Sequence, residues 1–264
     1  MTIHNQTVLF TGATSGIGYE WAKLFAYDNY NMILVTRDEK RLNYITTELQ
    51  EMGAGKVTII PTDLSVSNAA VDIHKITNQR NIHVDVLLNN AGLGEYGLFS
   101  DTRIEKEMAN IQLKITSMVQ LTKLYMQDMI AHHGEGRILQ LASISSYQPS
   151  PMLAVYGATK SFILSFSDAI AAELRDTDIK VTSLIPGPTD TDFFHNAGME
   201  HTKAAQDDLE DAEIVAMVGY TALIKGEPHA YPPIIRQLVA VSSLLSNQSV
   251  AKLVEKQMKP TDNT

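Results

Sequence analysis

The sequence predicts an α/β protein in which helices cover both faces of one doubly wound parallel sheet, a three-layer α/β/α arrangement. Three observations predict it. Short apolar, β-branched runs alternate with longer helix-like segments six times along the chain, the pattern of a parallel sheet built from βαβ units. The first run feeds straight into a glycine-rich turn and then a helix, the opening of a nucleotide-binding unit. No linker, repeat or low-complexity stretch interrupts the alternation, so residues 1–264 read as a single domain.

The first strand is Thr7 to Thr11, and it runs into Gly12-Ala13-Thr14-Ser15-Gly16-Ile17-Gly18. Glycines at this spacing allow a tight turn and close backbone approach. The helix that follows, with Trp21, Ala22, Leu24 and Phe25 on its apolar face, offers free N–H groups to a pyrophosphate. Met32 to Thr36 is the second strand, with Arg37 at its tip. In dinucleotide sites an acidic residue near this point takes the ribose hydroxyls, whereas an arginine accommodates a 2′-phosphate. Arg37 therefore favours NADP(H) over NAD(H), with Arg41 one turn later as a helper, and Asp38 is placed to cap a helix running to about Met52.

Lys56 to Ile60 is the third strand, followed by Asp63 and Leu64 at the sheet edge where ligands bind. Asp63 could accept from an adenine amino group or cap the next helix. The fourth strand, Val84 to Leu88, ends in Asn89-Asn90-Ala91-Gly92, small and amide residues suited to close packing against a cofactor, with Asn90 able to tie the turn to neighbouring strands. A long helix from about Thr102 to His132 carries Asn110, which is mildly unfavourable there and marks a place where a water could open the helix. Arg137 to Leu141 is the fifth strand, ending in Ala142-Ser143; Lys180 to Ile185 is the sixth, followed by Pro186, Gly187, Thr189 and Thr191.

Between these last two strands lies the helix with Tyr156 and Lys160. Positions i and i+4 share a helical face, so a phenol and an ammonium can point into one cleft. A cation beside a phenol favours phenolate, which would make Tyr156 a proton donor and acceptor near neutral pH. Lys160 is the sole charged residue from Tyr156 to Phe166. A charge isolated on an apolar helix needs a partner, and this places Lys160 toward a polar site.

The formal net charge of −9 argues against a nucleic-acid-binding surface. With no cysteine, disulfides and thiolate chemistry are excluded. No signal peptide or membrane-spanning run is visible, so a cytoplasmic protein with no membrane partner is expected. From 192 to 211 the chain turns polar, a substrate lid. A C-terminal helical extension at about 226–260 includes apolar-faced segments from Ile234 to Leu245 and from Val250 to Met258.

Taken together, the Thr11-Gly12-x-x-x-Gly16-x-Gly18 turn, Asn89-Asn90-Ala91-Gly92, Asn110 on the following helix, Ser143 thirteen residues before Tyr156, Tyr156-x-x-x-Lys160, and Pro186-Gly187 with Thr191 resemble the short-chain dehydrogenase/reductase family, from Thr7 to about Thr191. The glycine spacing looks like its single-domain branch, with a Rossmann-fold sheet. The resemblance implies a hydride transfer between nicotinamide and a ketone, aldehyde or secondary alcohol, without a metal. It implies that Ser143 hydrogen-bonds the substrate oxygen, Tyr156 exchanges its proton, and Lys160 binds the nicotinamide ribose and lowers the Tyr156 pKa. Asn110 would hold a relay water. Cofactor contacts would come from Gly12, Thr14, Ser15, Gly16, Ile17, Gly18, Arg37, Asp63, Leu64, Asn90, Ala91, Gly92, Tyr156, Lys160, Pro186, Gly187, Thr189 and Thr191. A homodimer or homotetramer, joined through the long helix around Asn110 and the Tyr156 helix, is also implied. One departure is Ser15, where many NADP-dependent relatives carry a basic residue, so the NADP(H) preference rests on Arg37. The residues from Gly226 onward resemble a bacterial subgroup of these reductases. A non-enzymatic dinucleotide sensor on the same fold should lack part of the set Asn110, Ser143, Tyr156 and Lys160. An acyl-carrier substrate would call for a basic docking patch, against the acidic balance.

Overall fold

The computed structural model describes residues 6–132, 134–207, 209–233, 235 and 246–261. Strands β1 (Thr7–Thr11), β2 (Asn31–Thr36), β3 (Val57–Pro61), β4 (Val86–Asn89), β5 (Glu135–Leu141), β6 (Asp178–Leu184) and β7 (His229–Ala230) form one sheet in the order β3-β2-β1-β4-β5-β6-β7. All six neighbouring pairs are parallel. The chain reverses its direction of travel across the sheet between β1 and β4, which opens a crevice at the carboxyl ends of the strands.

Alternation along the strands assigns their side chains to two layers. Val8 and Phe10 of β1 pack with α1 (Gly16–Tyr27), α2 (Glu39–Glu51) and α9 (Ala212–Lys225), whereas Leu9 joins α3 (Ala69–Gln79), α5 (Met118–His132) and α6 (Ala154–Glu173). Trp21 anchors the first layer: it is fully buried and donates from its indole N–H to the Ala216 carbonyl at 2.8 Å. Gly219 of α9 makes room for it, since a Cβ there would stand 3.0 Å from the indole ring. Asp38 caps α2 as expected, accepting from the Arg41 N–H at 2.9 Å.

The structure corrects the expected outline in three places. The sheet has a seventh strand: β7 pairs Ser183 with His229 and Leu184 with Ala230, two residues that are too few to produce a periodic signal. The 226–260 extension is therefore not wholly helical. It closes with α10 (Asn247–Met258), which starts earlier than expected because Ser246 caps it. Of the expected helix Ile234–Leu245, only Ile235 lies within the described residues. The long helix is also interrupted, as α4 (Ile104–Ile111) passes through a π-helical segment, Gln112–Ser117, before α5. The 192–211 stretch folds into α7 (Phe193–Ala197) and α8 (Lys203–Gln206), held by isolated bridges from Thr189 to Glu210 and from Thr202 to Pro260.

Candidate active site

A cleft of about 820 Å³ lies over the carboxyl ends of the strands, and every residue expected to act in catalysis or to contact the cofactor lines it except Gly18, Asn110 and the helper Arg41. At one end is the turn after β1. Gly12 and Gly16 have φ of +73° and +52°, a conformation that favours glycine. A Cβ at Gly16 would stand 2.7 Å from the Thr191 methyl. The α1 N-terminus carries no side-chain cap from Ser15, so its first-turn N–H groups remain available. That combination fits the diphosphate of a dinucleotide. Gly18 serves the same turn from outside the cleft. A Cβ there would fall 2.0 Å from the Gly12 carbonyl oxygen, so glycine is what lets α1 pack against the loop. Thr11 and Asn90 lock the arrangement. The Thr11 hydroxyl accepts from the N–H groups of Asn90 and Ala91, and the Asn90 amide donates to the Gly12 carbonyl at 2.6 Å.

Arg37 lies at the rim, its side chain 63% exposed and its guanidinium 3.9 Å from Asp63. Asp63 accepts from both the backbone and the hydroxyl of Ser65. It thus stabilises its own loop and does not cap α3, which begins after Asn68. Hydrogen bonds from Ser65 and the nearby Arg37 hold its carboxyl below the usual range, against the opposing effect of burial. Arg41 is engaged nearby, donating to the Thr14 carbonyl with its guanidinium over the Tyr44 ring.

At the other end Ser143, Tyr156 and Lys160 converge. Ser143 leaves β5 with extended backbone and caps a one-turn helix, Ile144–Ser146, whose Ser146 hydroxyl donates to the Lys160 carbonyl at 2.8 Å. This contact fixes α6 against the serine turn. Lys160 is buried and donates to the Leu141 carbonyl, the polar partner that an isolated charge on an apolar helix requires. The Tyr156 ring packs against Phe193 of α7, with centroids 5.0 Å apart. Burial pushes the Tyr156 hydroxyl up to about 12, opposed by a hydrogen bond with Ser143. Burial holds Lys160 down to about 7. Desolvation therefore dominates at both groups, and the opposing pull on the phenol comes from Ser143 and not from Lys160.

Asn110 does not reach this end of the cleft. It sits in the last turn of α4, buried, and its Oδ1 has no hydrogen-bond partner among the described residues. The charged side chain that the long helix sends into the site is Lys114, carried beside Leu113 on the π-helical segment. Its ammonium nitrogen lies 4.0 Å from the Tyr156 ring centroid, nearer than Lys160 at 5.7 Å. It donates to the Leu93 carbonyl, and Gly92 leaves it space, since a Cβ there would stand 3.2 Å from the lysine Cε. The signal was present in the sequence: Lys114 is the sole charged residue between Ile111 and Thr122, the same isolation that marks Lys160. Away from these groups apolar side chains, including Leu153, Phe194, Met199 and Val250, Leu253 and Val254 of α10, share the wall with Asp192, Asp207, Glu210 and Lys256.

Comparison with known proteins assigns the class. A family model described as short chain dehydrogenase matches residues 6–202. An uncharacterised oxidoreductase of Staphylococcus epidermidis is 30% identical over 219 residues, covering 81% of this chain and 92% of that protein. Mouse dehydrogenase/reductase SDR family member 7B is 31% identical over 202 residues, covering 74% of this chain and 61% of that protein. A solved short-chain dehydrogenase from Sphingobium yanoikuyae in complex with NADPH is similar with a TM-score of 0.82 at 25% identity, covering 98% of this chain and all of the other. A short-chain dehydrogenase/reductase from Burkholderia phymatum in complex with NAD has the same fold, with a TM-score of 0.82 at 19% identity. The chain belongs to the short-chain dehydrogenase/reductase family, and it is an NAD(P)-dependent oxidoreductase with a Rossmann-type sheet. Among the described residues no helix is long and apolar enough to cross a membrane.

Proposed function

We propose that this oxidoreductase uses NADP(H) to interconvert a ketone or aldehyde with an alcohol, secondary in the ketone case, and that Tyr156 is its general acid and base. The observation that carries the reading is the meeting of Ser143, Tyr156 and Lys160 at one end of a cleft whose other end is the glycine turn and Arg37. The glycine turn and the α1 N-terminus would hold the diphosphate, Arg37 the 2′-phosphate, and Lys160 the nicotinamide ribose. The dinucleotide, when bound, would exchange a hydride with the substrate carbon. Ser143 donates to the substrate oxygen and holds it beside Tyr156, whose hydroxyl gives up its proton in reduction and regains one in oxidation. Burial matters here, because a hydroxyl with a high proton affinity stays protonated until a developing alkoxide accepts the proton. The apolar part of the wall, Leu153, Phe194, Met199 and the α10 valines, suits a substrate with hydrocarbon beside its carbonyl.

NADPH in the Sphingobium yanoikuyae relative supports the cofactor preference. We also propose a cytoplasmic homodimer or homotetramer, joined through the exposed Leu98, Phe99, Ile104 and Met108 near α4 and Phe162 of α6. Sedimentation at micromolar concentration should show the oligomer, and a monomer refutes it. The deciding assay is a panel of carbonyls and alcohols followed by nicotinamide absorbance with both cofactors. Tyr156→Phe should abolish turnover while leaving cofactor binding in place. Retained turnover overturns the assignment.

A further inference from the structure

Lys114 and Lys160 share more than the cleft. Behind it lies a second cavity of about 10 Å³, the space of roughly one water. Both lysines line it, together with Leu141, whose carbonyl accepts from Lys160. Two amines from different helices, one on α6 and one on the π-helical segment, thus face a common water-sized space, and both also line the wall of the main cleft. We propose that Lys114 is a second proton carrier of this enzyme, exchanging protons with Lys160 through that cavity to resupply Tyr156. The inference rests on the reading of Tyr156 as the acid and base.

The groups that face Lys114 explain why it can carry a proton reversibly. Lys160 and Tyr156 approach from α6, Glu107 from α4, and the Leu93 carbonyl from the loop after β4. Burial first, and then the Lys160 charge, push the Lys114 ammonium well below the usual lysine range, while Glu107 pulls the other way. Two ammonium groups this close disfavour each other in a desolvated site. The pair therefore holds one proton at lower cost than two, and that proton can reside on either nitrogen. A fixed, fully charged lysine could anchor a ribose but would release its proton poorly near neutral pH.

The relay balances. In reduction the Tyr156 O–H bond breaks as its proton goes to the substrate oxygen. The phenolate oxygen then takes a proton released from a Lys160 N–H bond. The Lys160 amine is reprotonated from the water between the lysines, that water from a Lys114 N–H bond, and Lys114 from solvent in the cleft. One solvent proton is consumed for each substrate oxygen protonated, no electrons move along the path, and oxidation runs it backward. Lys114 is in this scheme a proton-relay residue and touches no reacting carbon.

The first test needs no turnover. In the protein with ¹³C-labelled lysines, the ε-methylene resonances of Lys114 and Lys160, assigned by their loss in Lys114→Gln and Lys160→Met, should titrate below those of the exposed lysines. In Lys160→Met the Lys114 midpoint should rise by about one pH unit, because a like charge has been removed. The second test uses Lys114→Gln, which keeps an N–H donor on a side chain one bond shorter but has no basic nitrogen. It should lower kcat at least about tenfold with little change in KM, alter the pH profile of kcat, and recover turnover in proportion to added imidazole. A Lys114 that titrates with the exposed lysines, or whose midpoint ignores Lys160→Met, overturns the proposal, and Lys114→Arg supplies the Lys114 assignment where Lys114→Gln does not fold. A Lys114→Gln variant with wild-type kcat and pH profile overturns it too, as does a loss of rate that imidazole leaves unchanged. An inactive Tyr156→Phe beside a normal Lys114→Gln sinks the relay alone, whereas an active Tyr156→Phe sinks the acid–base reading itself.

Discussion

Arg37→Ala is the perturbation that separates the two nicotinamide cofactors. The arginine stands at the tip of β2, and Asp63 is its one ion-pair partner among the described residues, 3.9 Å away. A charge-assisted hydrogen bond contributes about 1.5–3 kcal/mol when one partner is removed. Because the side chain is 63% exposed, solvent screening moves the expectation to the lower end. A loss of about 1.4–2 kcal/mol corresponds to roughly 10- to 30-fold weaker NADP(H) binding. Asp63 adds to the effect, because without Arg37 its carboxylate faces the 2′-phosphate with no compensating charge. NAD(H) carries no 2′-phosphate and should lose less than about threefold. Titration of nicotinamide fluorescence with both cofactors measures the two losses. Raising the salt from about 0.05 M to about 0.5 M should shrink the difference for the native protein, since the Debye length falls below about 10 Å. Equal losses for the two cofactors would refute the reasoning and move phosphate recognition elsewhere in the cleft.

Two further perturbations probe the turn and the buried lysine. Gly18→Ala forces a methyl to within 2.0 Å of the Gly12 carbonyl; overpacking of this kind costs about 1–3 kcal/mol or more. The melting temperature should drop by several degrees and cofactor affinity should be lost with it, and an unchanged melting curve would mean that the turn relaxes freely. Lys160, held down to about 7 by burial, gives stability a pH slope. Between that value and the ordinary lysine value near 10.4, the unfolded chain binds more protons than the folded one, so stability rises with pH across the window. Lys160→Met should reduce this slope, leaving the share that the buried Lys114 contributes, and stabilise the cofactor-free protein at pH 7 and below, by a few kcal/mol at most. Urea unfolding at about pH 6.5 and pH 9 checks the sign, and parallel curves for the two proteins would contradict it.

What the sequence made legible follows from how local each signal is. Six strands, the glycine turn and the α2 cap are written in contiguous residues, whose preferences the sheet and helices then obey. β7 was not legible because a two-residue strand depends on the edge that β6 offers it, through Ser183 and Leu184. The long helix failed for a geometric reason. Each residue of an α-helix advances the facing direction by about 100°, but a π-helical segment has more residues per turn and shifts the phase of everything after it. Asn110, the asparagine that the family resemblance selects, lies before that segment and keeps its α4 facing, whereas Lys114, within the segment, is the charged group presented to the cleft. Spacing alone cannot anticipate that shift. The energetic argument can, because a lone charge on an apolar stretch must find a polar partner whatever the phase. Applied to α6 it finds Lys160, which ends on the Leu141 carbonyl. Applied with equal force to Ile111–Thr122 it finds Lys114, which ends on the Leu93 carbonyl. The two lysines are drawn to one site by the same desolvation penalty, and that penalty is also what leaves their protons free to move.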